Sequence, residues 1–325
     1  LRVLSGADNR TVASALIALA ALFPPQQDQI WTRDLLWIPI PVQADPIIDE
    51  VSFGMFDNCK LLRKNIEEMS VYSDLLEKYR PEVEFLAEKT GVEINNVYIF
   101  QKVLDGIKTR AGLPEILPLP SWANDAEFIE KVIKLQNALH ASFIDIFLDS
   151  IGGWHHDQIV ARFDEAIQNT TNHKMILYSS HDTNMMTLGR LLNLTYLKDH
   201  LPDFASYVSL ELHEINDNFT VQIWFHPNLN ESRIELGIPG CPQPCMFSQF
   251  SQLSPRVTTG QWKAKCSGPD PSVDTRCTLY GSIAGALVVF IILILGALLS
   301  VLWSCLAYRN KYNRLSDPER HKLLN

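Results

Sequence analysis

The chain has 325 residues, 46% hydrophobic and 20% charged, a globular composition with length enough for one large domain or two smaller ones. Its 28 Lys and Arg stand against 37 Asp and Glu, a net charge of −9. That balance excludes nucleic acid as a partner, because a phosphate backbone demands clustered cations. No internal repeat or low-complexity tract divides the sequence, which excludes solenoid and fibrous classes.

The first residue is Leu1, and no signal-like n-region, h-region and cleavage site precedes the opening segment; the chain is read as a fragment that begins downstream of its natural start. Residues 10–23, "RTVASALIALAALF", predict a helix of small and apolar residues ended by Pro24-Pro25. "LLWIPIPV" is too rich in proline for helix and reads as an extended connection. Repeated helical segments follow, over residues 57–69, 71–90, 97–112 and 125–150, each with apolar residues three and four apart. "GLPEILPLPSW" interrupts them.

Strand character returns at "KMILYS", then helix from Asn184 to Leu192. Two alternating strands come next, Tyr207 to Ile215 and Phe219 to His226, joined by Asn216-Asp217-Asn218. A helix, a long helical insertion, then strand, helix and hairpin predict an α/β sheet domain carrying an α-helical cap. Residues 1–44 and 170–266 form the α/β part, and 45–169 the cap.

Residues 279–307, "LYGSIAGALVVFIILILGALLSVLWSCLA", carry no charge. At 1.5 Å per residue about 20 apolar residues cross a bilayer core, so this segment predicts a single transmembrane helix. A juxtamembrane stalk over 267–278 precedes it. Arg309, Lys311, Arg314, Arg320 and Lys322 follow the span, against Lys263, Lys265 and Arg276 before it, which places the tail over 308–325 in the cytosol. Sequons at Asn9, Asn169, Asn193, Asn218 and Asn230 all precede the span, as a lumenal, glycosylated ectodomain would require. Gly281 and Gly285 give the spacing of a helix-dimerisation face, so a homodimer is a candidate assembly.

Cys241 and Cys245, in "GCPQPC", lie among prolines that do not favour a redox helix, and no second Cys or His pair at zinc-ligand spacing follows. A structural disulfide in an oxidising lumen is the better reading. Of the remaining cysteines, Cys277 is the one expected to stay unpaired, and Cys305 lies in the span. A zinc hydrolase built on His155, His156 and the cysteines is the minor alternative.

"KMILYSSHDTNM" sets His181 and Asp182 at the end of a buried strand, where a following helix points its N–H groups outward. Asp182 or Thr183 is a natural N-cap there. Chemically, a histidine at that place stabilises a phosphoryl oxygen, and a neighbouring carboxyl group protonates a leaving alcohol.

"LYSSHDTN" resembles the second motif of the histidine acid phosphatases. "DNRTVASALIALAALFPP", "LPSWAND", "PGCPQPCMFSQF" and "QWKAKC" resemble further segments of that family, so the likeness runs from Leu1 to Cys266. With the membrane span, the chain looks like the family's lysosomal, membrane-anchored branch. The resemblance implies a phosphoglycerate-mutase-like α/β fold and a metal-free, cofactor-free phosphomonoesterase. A histidine in an "RHGxRxP" motif would form a phosphohistidine that water hydrolyses. His181 would bind the phosphoryl group, Asp182 would be the general acid, and Trp122 would wall the substrate pocket. The implied disulfides are Cys241–Cys245 and Cys59–Cys266.

Two departures stand out. No "RHGxRxP" occurs in the 325 residues, so the attacking histidine is expected in a preceding segment. The family's arginine six residues before "RT" is Leu4 here, with Arg2 two positions back. Loss of that guanidinium favours, as the alternative, a weakened or inactive phosphatase-like ectodomain used for binding or adhesion.

In the tail, Tyr312 and Leu315 match a tyrosine-based endocytic signal, and Glu319, Leu323 and Leu324 an acidic dileucine signal. Adaptor complexes are the partners these imply, with a lysosomal or endolysosomal type I membrane location, or otherwise the cell surface.

Overall fold

A computed structural model of the chain describes residues 1–52, 59, 70–228, 230–267 and 271–314. Strand β1 (Arg2–Ser5) leads into helix α1 (Asn9–Leu22), strand β2 (Gln43–Ala44) and the short helix α2 (Ile47–Glu50). Helices α3 (Ser70–Lys78), α4 (Arg80–Thr90), α5 (Val97–Gly112) and α6 (Ala126–Ile167) come next. Strand β3 (Ile176–Ser179) and helix α7 (Asp182–Leu191) return to the sheet. Then follow β4 (Tyr207–Ile215), β5 (Asn218–His226), β6 (Ile234–Leu236), β7 (Cys245–Met246), α8 (Phe247–Phe250) and α9 (Thr259–Ser267). Helix α10 (Pro271–Asn313) closes the described chain.

β1 is the centre of a parallel sheet in the order β2-β1-β3, with Leu4 paired to Gln43 on one side and Tyr178 on the other. Parallel strands are covered on both faces, and so is β1. Val3 packs with Ala15 and Leu19 of α1, while Leu4 joins the larger core that continues into α5 and α6. A second sheet is antiparallel, in the order β4-β5-β6 with β7 also on β5. β3 and β4 each have one strand partner among the described residues. The result is the mixed α/β architecture expected, with helices Ser70 through Ile167 inserted between β2 and β3.

Several boundaries differ from expectation for identifiable reasons. The helix expected over 71–90 is two helices, parted at Tyr79 (φ −109°, ψ 22°), because Pro81 fits only the first turn of a new helix. The helix expected over 125–150 runs on to Ile167, starting at an Asp125 cap whose Oδ2 accepts from the Phe128 N–H at 2.9 Å. Its middle, Ile151–His156, is buried nearly all round, with Ile151, Gly152, Gly153, Trp154 and His156 all enclosed. Burial on every side erases the one-sided periodicity that marks a surface helix. Gly152 and Gly153 sit there because a Cβ would come within 2.8 Å of Leu191 Cδ1 or of Val257 Cγ2. Gly152 thus lets α7 lie close against α6, and Gly153 does the same for the segment at Pro255–Val257. The β4–β5 turn is two residues rather than three: Ile215 pairs with Asn218, and Asn216 and Asp217 both take positive φ (51° and 61°), as a type I′ turn requires.

Residues Leu1–Gly268 form one compact unit. In the other, α10 carries Phe290–Lys311, 22 residues of mean hydropathy 2.6 and long and apolar enough to cross a membrane. Its described apolar side chains are exposed, Trp303 at 75%. Residues 271–278, expected as a stalk, are already part of this helix. Tyr312 lies in its last turn, while Leu315, Glu319, Leu323 and Leu324 fall outside the described residues.

Candidate functional site

Because β1, β2 and β3 are parallel, the loops at their carboxyl ends open on one edge of the sheet. Backbone bonds tie the loops together: Gly6 N–H donates to Ser179 O at 3.0 Å, and Asp45 N–H to Ser5 O at 2.7 Å. Ser179 Oγ donates to Thr11 O at 2.7 Å. The first residues of α1, α2 and α7 are thereby brought to one place.

His181 caps α7 with extended backbone (φ −106°, ψ 156°), and α7 begins at Asp182. The cap is therefore one residue before Asp182 and two before Thr183, the positions expected. Asn184 explains the shift: its Oδ1 accepts the His181 N–H at 2.9 Å, and its Nδ2 reaches Ile48 O and Val51 O at 3.2 and 3.3 Å. This buried amide locks the start of α7 to the end of α2.

The His181 ring is held from both sides. Nε2 lies 2.6 Å from Asp49 Oδ1, and Nδ1 lies 3.4 Å from Arg10 Nη2. A carboxylate only accepts and a guanidinium only donates, so the geometry fits a neutral imidazole protonated at Nε2, with Nδ1 bare towards Arg10. Asp49 is itself fixed, since its Oδ2 accepts the Ala7 N–H at 2.6 Å. Gly6 is required at this approach, because a Cβ there would run into the Asp49 carboxylate. Arg10 also pairs with Asp8 Oδ2 at 2.6 Å. Asp182 is exposed, and its Oδ1 accepts the Thr183 N–H at 2.8 Å, a carboxylate at a helix N-terminus.

Asp8, Asp49 and His181 offer ligand atoms within 4.8 Å of one another. A metal there would have to displace the Arg10 cation from Asp8 and the two donors from Asp49. Two helix N-termini and a guanidinium suit an anion better.

Leu4, at the position where the family resemblance placed an arginine, is 5% exposed in the core. Arg2 lies at the start of β1, away from the carboxyl edge, and its Nη2 donates to Gln43 Oε1 at 3.3 Å. Around the site, burial holds His155 down to about 4, partly offset by a hydrogen bond to the Val51 backbone. His140 is also held below the ordinary histidine range, chiefly by burial, while the Gln136 carbonyl and the Asp182 carboxylate draw it back up.

The other expected residues lie elsewhere. Trp122, in a short 3-10 turn (Ser121–Ala123), packs edge-on to Phe85 of α4 and Phe128 of α6, both with ring centroids at 5.9 Å. Cys59 is joined to Cys266 and Cys241 to Cys245, with Cα separations of 4.7 and 5.2 Å. Both pairs remove the thiolates a zinc site would need, and His156 Nε2 is engaged by Phe250 O at 3.1 Å, so the zinc alternative fails. Asn9, Asn169, Asn193, Asn218 and Asn230 are all exposed. Cys305 is free and exposed, and the Cys277 side chain lies outside the described residues.

Asp8, Arg10 and Asp49 went unassigned on sequence. The usable signal was topological: each follows the carboxyl end of a parallel strand. For Asp49 that signal was hidden, because β2 is two residues long and lies in a proline-rich stretch.

The sequence model of the histidine phosphatase superfamily (branch 2) matches residues 1–226. The chain is 28% identical to the prostatic acid phosphatase of Bos taurus, covering 80% of this chain and 68% of that protein. It is 28% identical to the lysosomal acid phosphatase of Xenopus laevis, covering 90% and 69%. With the lysosomal acid phosphatase of Rattus norvegicus the identity is 27%, over 96% and 74%.

Proposed function

The chain belongs to branch 2 of the histidine phosphatase superfamily, and from that premise we propose that it carries the phosphoryl-binding and acid half of an acid phosphatase site. The observation that carries this is the His181–Arg10 pair at 3.4 Å, set between the N-termini of α1 and α7 with Asp182 next to it. Arg10 and His181 bind the phosphoryl oxygens of a phosphomonoester. An attacking histidine forms the N–P bond as the P–O bond to the alcohol breaks, and protonated Asp182 gives its proton to the leaving oxygen. Water then cleaves the phosphohistidine, with the Asp182 carboxylate taking the proton. Residues 1–325 contain no "RHGxRxP", so on this reading the attacking histidine has to be supplied from outside them. Among the described residues β3 and β4 each pair with one strand, which leaves sheet edges open to a further strand.

The membrane helix, the lumenal sequons and the tail signals support a type I protein of the lysosomal or endolysosomal membrane, sorted by adaptor complexes, with a homodimer through the span.

The test is turnover of p-nitrophenyl phosphate at pH 5 by protein carrying the "RHGxRxP" segment. Asp182→Asn is expected to lower turnover about 100-fold or more with little change in phosphate inhibition; His181→Ala is expected to weaken both. Wild-type turnover in both variants would overturn the assignment. Residues 1–325 alone are expected to release no phosphate.

A second reading, a phosphatase-like ectodomain kept for binding or adhesion, is favoured by one observation: Leu4 is buried in the core where a phosphate-clamping arginine would otherwise stand. An intact assay with no turnover but measurable phosphate binding would decide for it.

A further inference from the structure

We infer that Asp49 is the positioning residue of this site: it fixes the tautomer of His181 so that Nδ1, not Nε2, meets the phosphoryl group. The inference rests on the phosphoryl-binding role of His181 and goes beyond it in naming the atom and the residue that selects it.

Asp49 ties the β1–α1 loop to α2 through Ala7 and at the same time meets the His181 ring. It sits on α2, a four-residue helix, and is 8% exposed. Its two oxygens are spoken for separately, Oδ2 by the Ala7 N–H and Oδ1 by His181 Nε2, both at 2.6 Å. The Ala7 bond fixes the carboxylate plane, and Gly6 leaves the space it occupies. Since a carboxylate cannot donate, His181 must carry its proton on Nε2 in the neutral form. Nδ1 is then an acceptor facing Arg10 at 3.4 Å. When a phosphoryl oxygen enters beside Arg10 at acid pH, Nδ1 takes a proton from solvent and donates to that oxygen, and the imidazolium so formed is held against the Asp49 carboxylate. Asp49 touches no substrate; it works through the ring.

Asp49→Asn makes a sharp prediction because Ala7 keeps its N–H. The amide oxygen must face Ala7, which turns the amide NH2 towards His181 Nε2. Nε2 then becomes the acceptor and the proton moves to Nδ1, where it opposes the Arg10 guanidinium. Nitrogen-15 correlation spectra of the histidine ring, recorded at pH 8, are expected to show Nε2–H for His181 in the wild type and Nδ1–H in D49N. Inorganic phosphate, titrated by calorimetry at pH 5, is expected to bind D49N about 10- to 100-fold more weakly, the usual cost of losing a partner that orients a histidine ligand. D49E, which retains a carboxylate, is expected to keep the Nε2–H form.

Nδ1–H in the wild type would overturn the inference, as would wild-type tautomer and phosphate affinity in a folded D49N. The wild-type spectrum needs no variant, so failure of D49N to fold leaves the inference decided by it together with D49E. A wild type that shows the expected tautomer but binds no phosphate would count against the phosphatase reading while upholding the hold of Asp49 on the ring.

Discussion

At the scale of single residues, the site turns on side chains whose identity makes sense only beside their neighbours. His181 and Asp182 were visible in sequence because they follow an apolar run and precede a helix. Asp49 was not, since nothing local distinguishes it from a solvated acid; its role is set by Ala7 and His181, residues 42 and 132 positions away. Leu4 is the converse case. Its mismatch with the family pattern was plain in sequence, but its consequence is structural, a leucine well packed among Ile47, Ile48 and the α6 core. Leu4→Arg is accordingly expected to destabilise the fold by about 3 kcal/mol or more, the cost of burying an unpaired guanidinium. Urea denaturation measures this. Phosphate at 10 mM is expected to recover part of the loss in the variant, and to do so more than in the wild type, if the guanidinium reaches the phosphoryl site. A variant as stable as the wild type without phosphate would show that Leu4 is not packed as described.

At the scale of elements, legibility followed one-sidedness. α5 was predicted over its observed span because its apolar stripe is clean and Asn96 caps it, accepting from the Ile99 N–H at 2.9 Å. The stretch of α6 from Ile151 to His156 was not, because a helical segment enclosed on nearly all sides has no stripe to read. That enclosed stretch has an energetic consequence through His155, whose ring is held near 4 by burial. An unfolded histidine titrates near 6.5, so between about pH 6.5 and pH 4 the unfolded chain binds a proton that the folded chain refuses. Stability is therefore full above pH 6.5 and falls as the pH drops through that window, by up to roughly 3 kcal/mol. His155→Gln keeps a polar side chain towards Asn184, which lies 3.2 Å from His155 Nε2, but cannot titrate. It is expected to flatten this part of the pH–stability curve, compared by thermal melts at pH 7.5 and 4.5. An unchanged slope would remove His155 as its source. At acid pH this histidine is a cost, which other contacts must offset.

At the scale of the whole molecule, the long apolar helix α10 was the most legible feature, because absence of charge over such a length needs no context. The staple that holds the last part of the compact unit was legible only through family resemblance. Cys59 and Cys266 are 207 residues apart, while Cys241 and Cys245 are 4 apart. The long link lands on α9, which also docks through Trp262, fully buried, and through Lys265 Nζ to Ser150 Oγ at 2.8 Å. α9 follows the sheets in sequence and precedes α10, so its attachment decides whether the end of the unit stays folded on α6. By chain entropy, closing the long loop stabilises by about 5 kcal/mol and closing the short one by only about 2 kcal/mol. Replacing both Cys59 and Cys266 by serine is thus expected to lower stability by about two and a half times as much as replacing Cys241 and Cys245. Urea unfolding of the two double variants at pH 7 gives the comparison directly. Limited proteolysis adds a local readout, since loss of the long link should expose α9 to cleavage before the sheets. Equal losses in the two variants would mean that α9 is held by packing of Trp262 against α6 and Glu50 rather than by its covalent link.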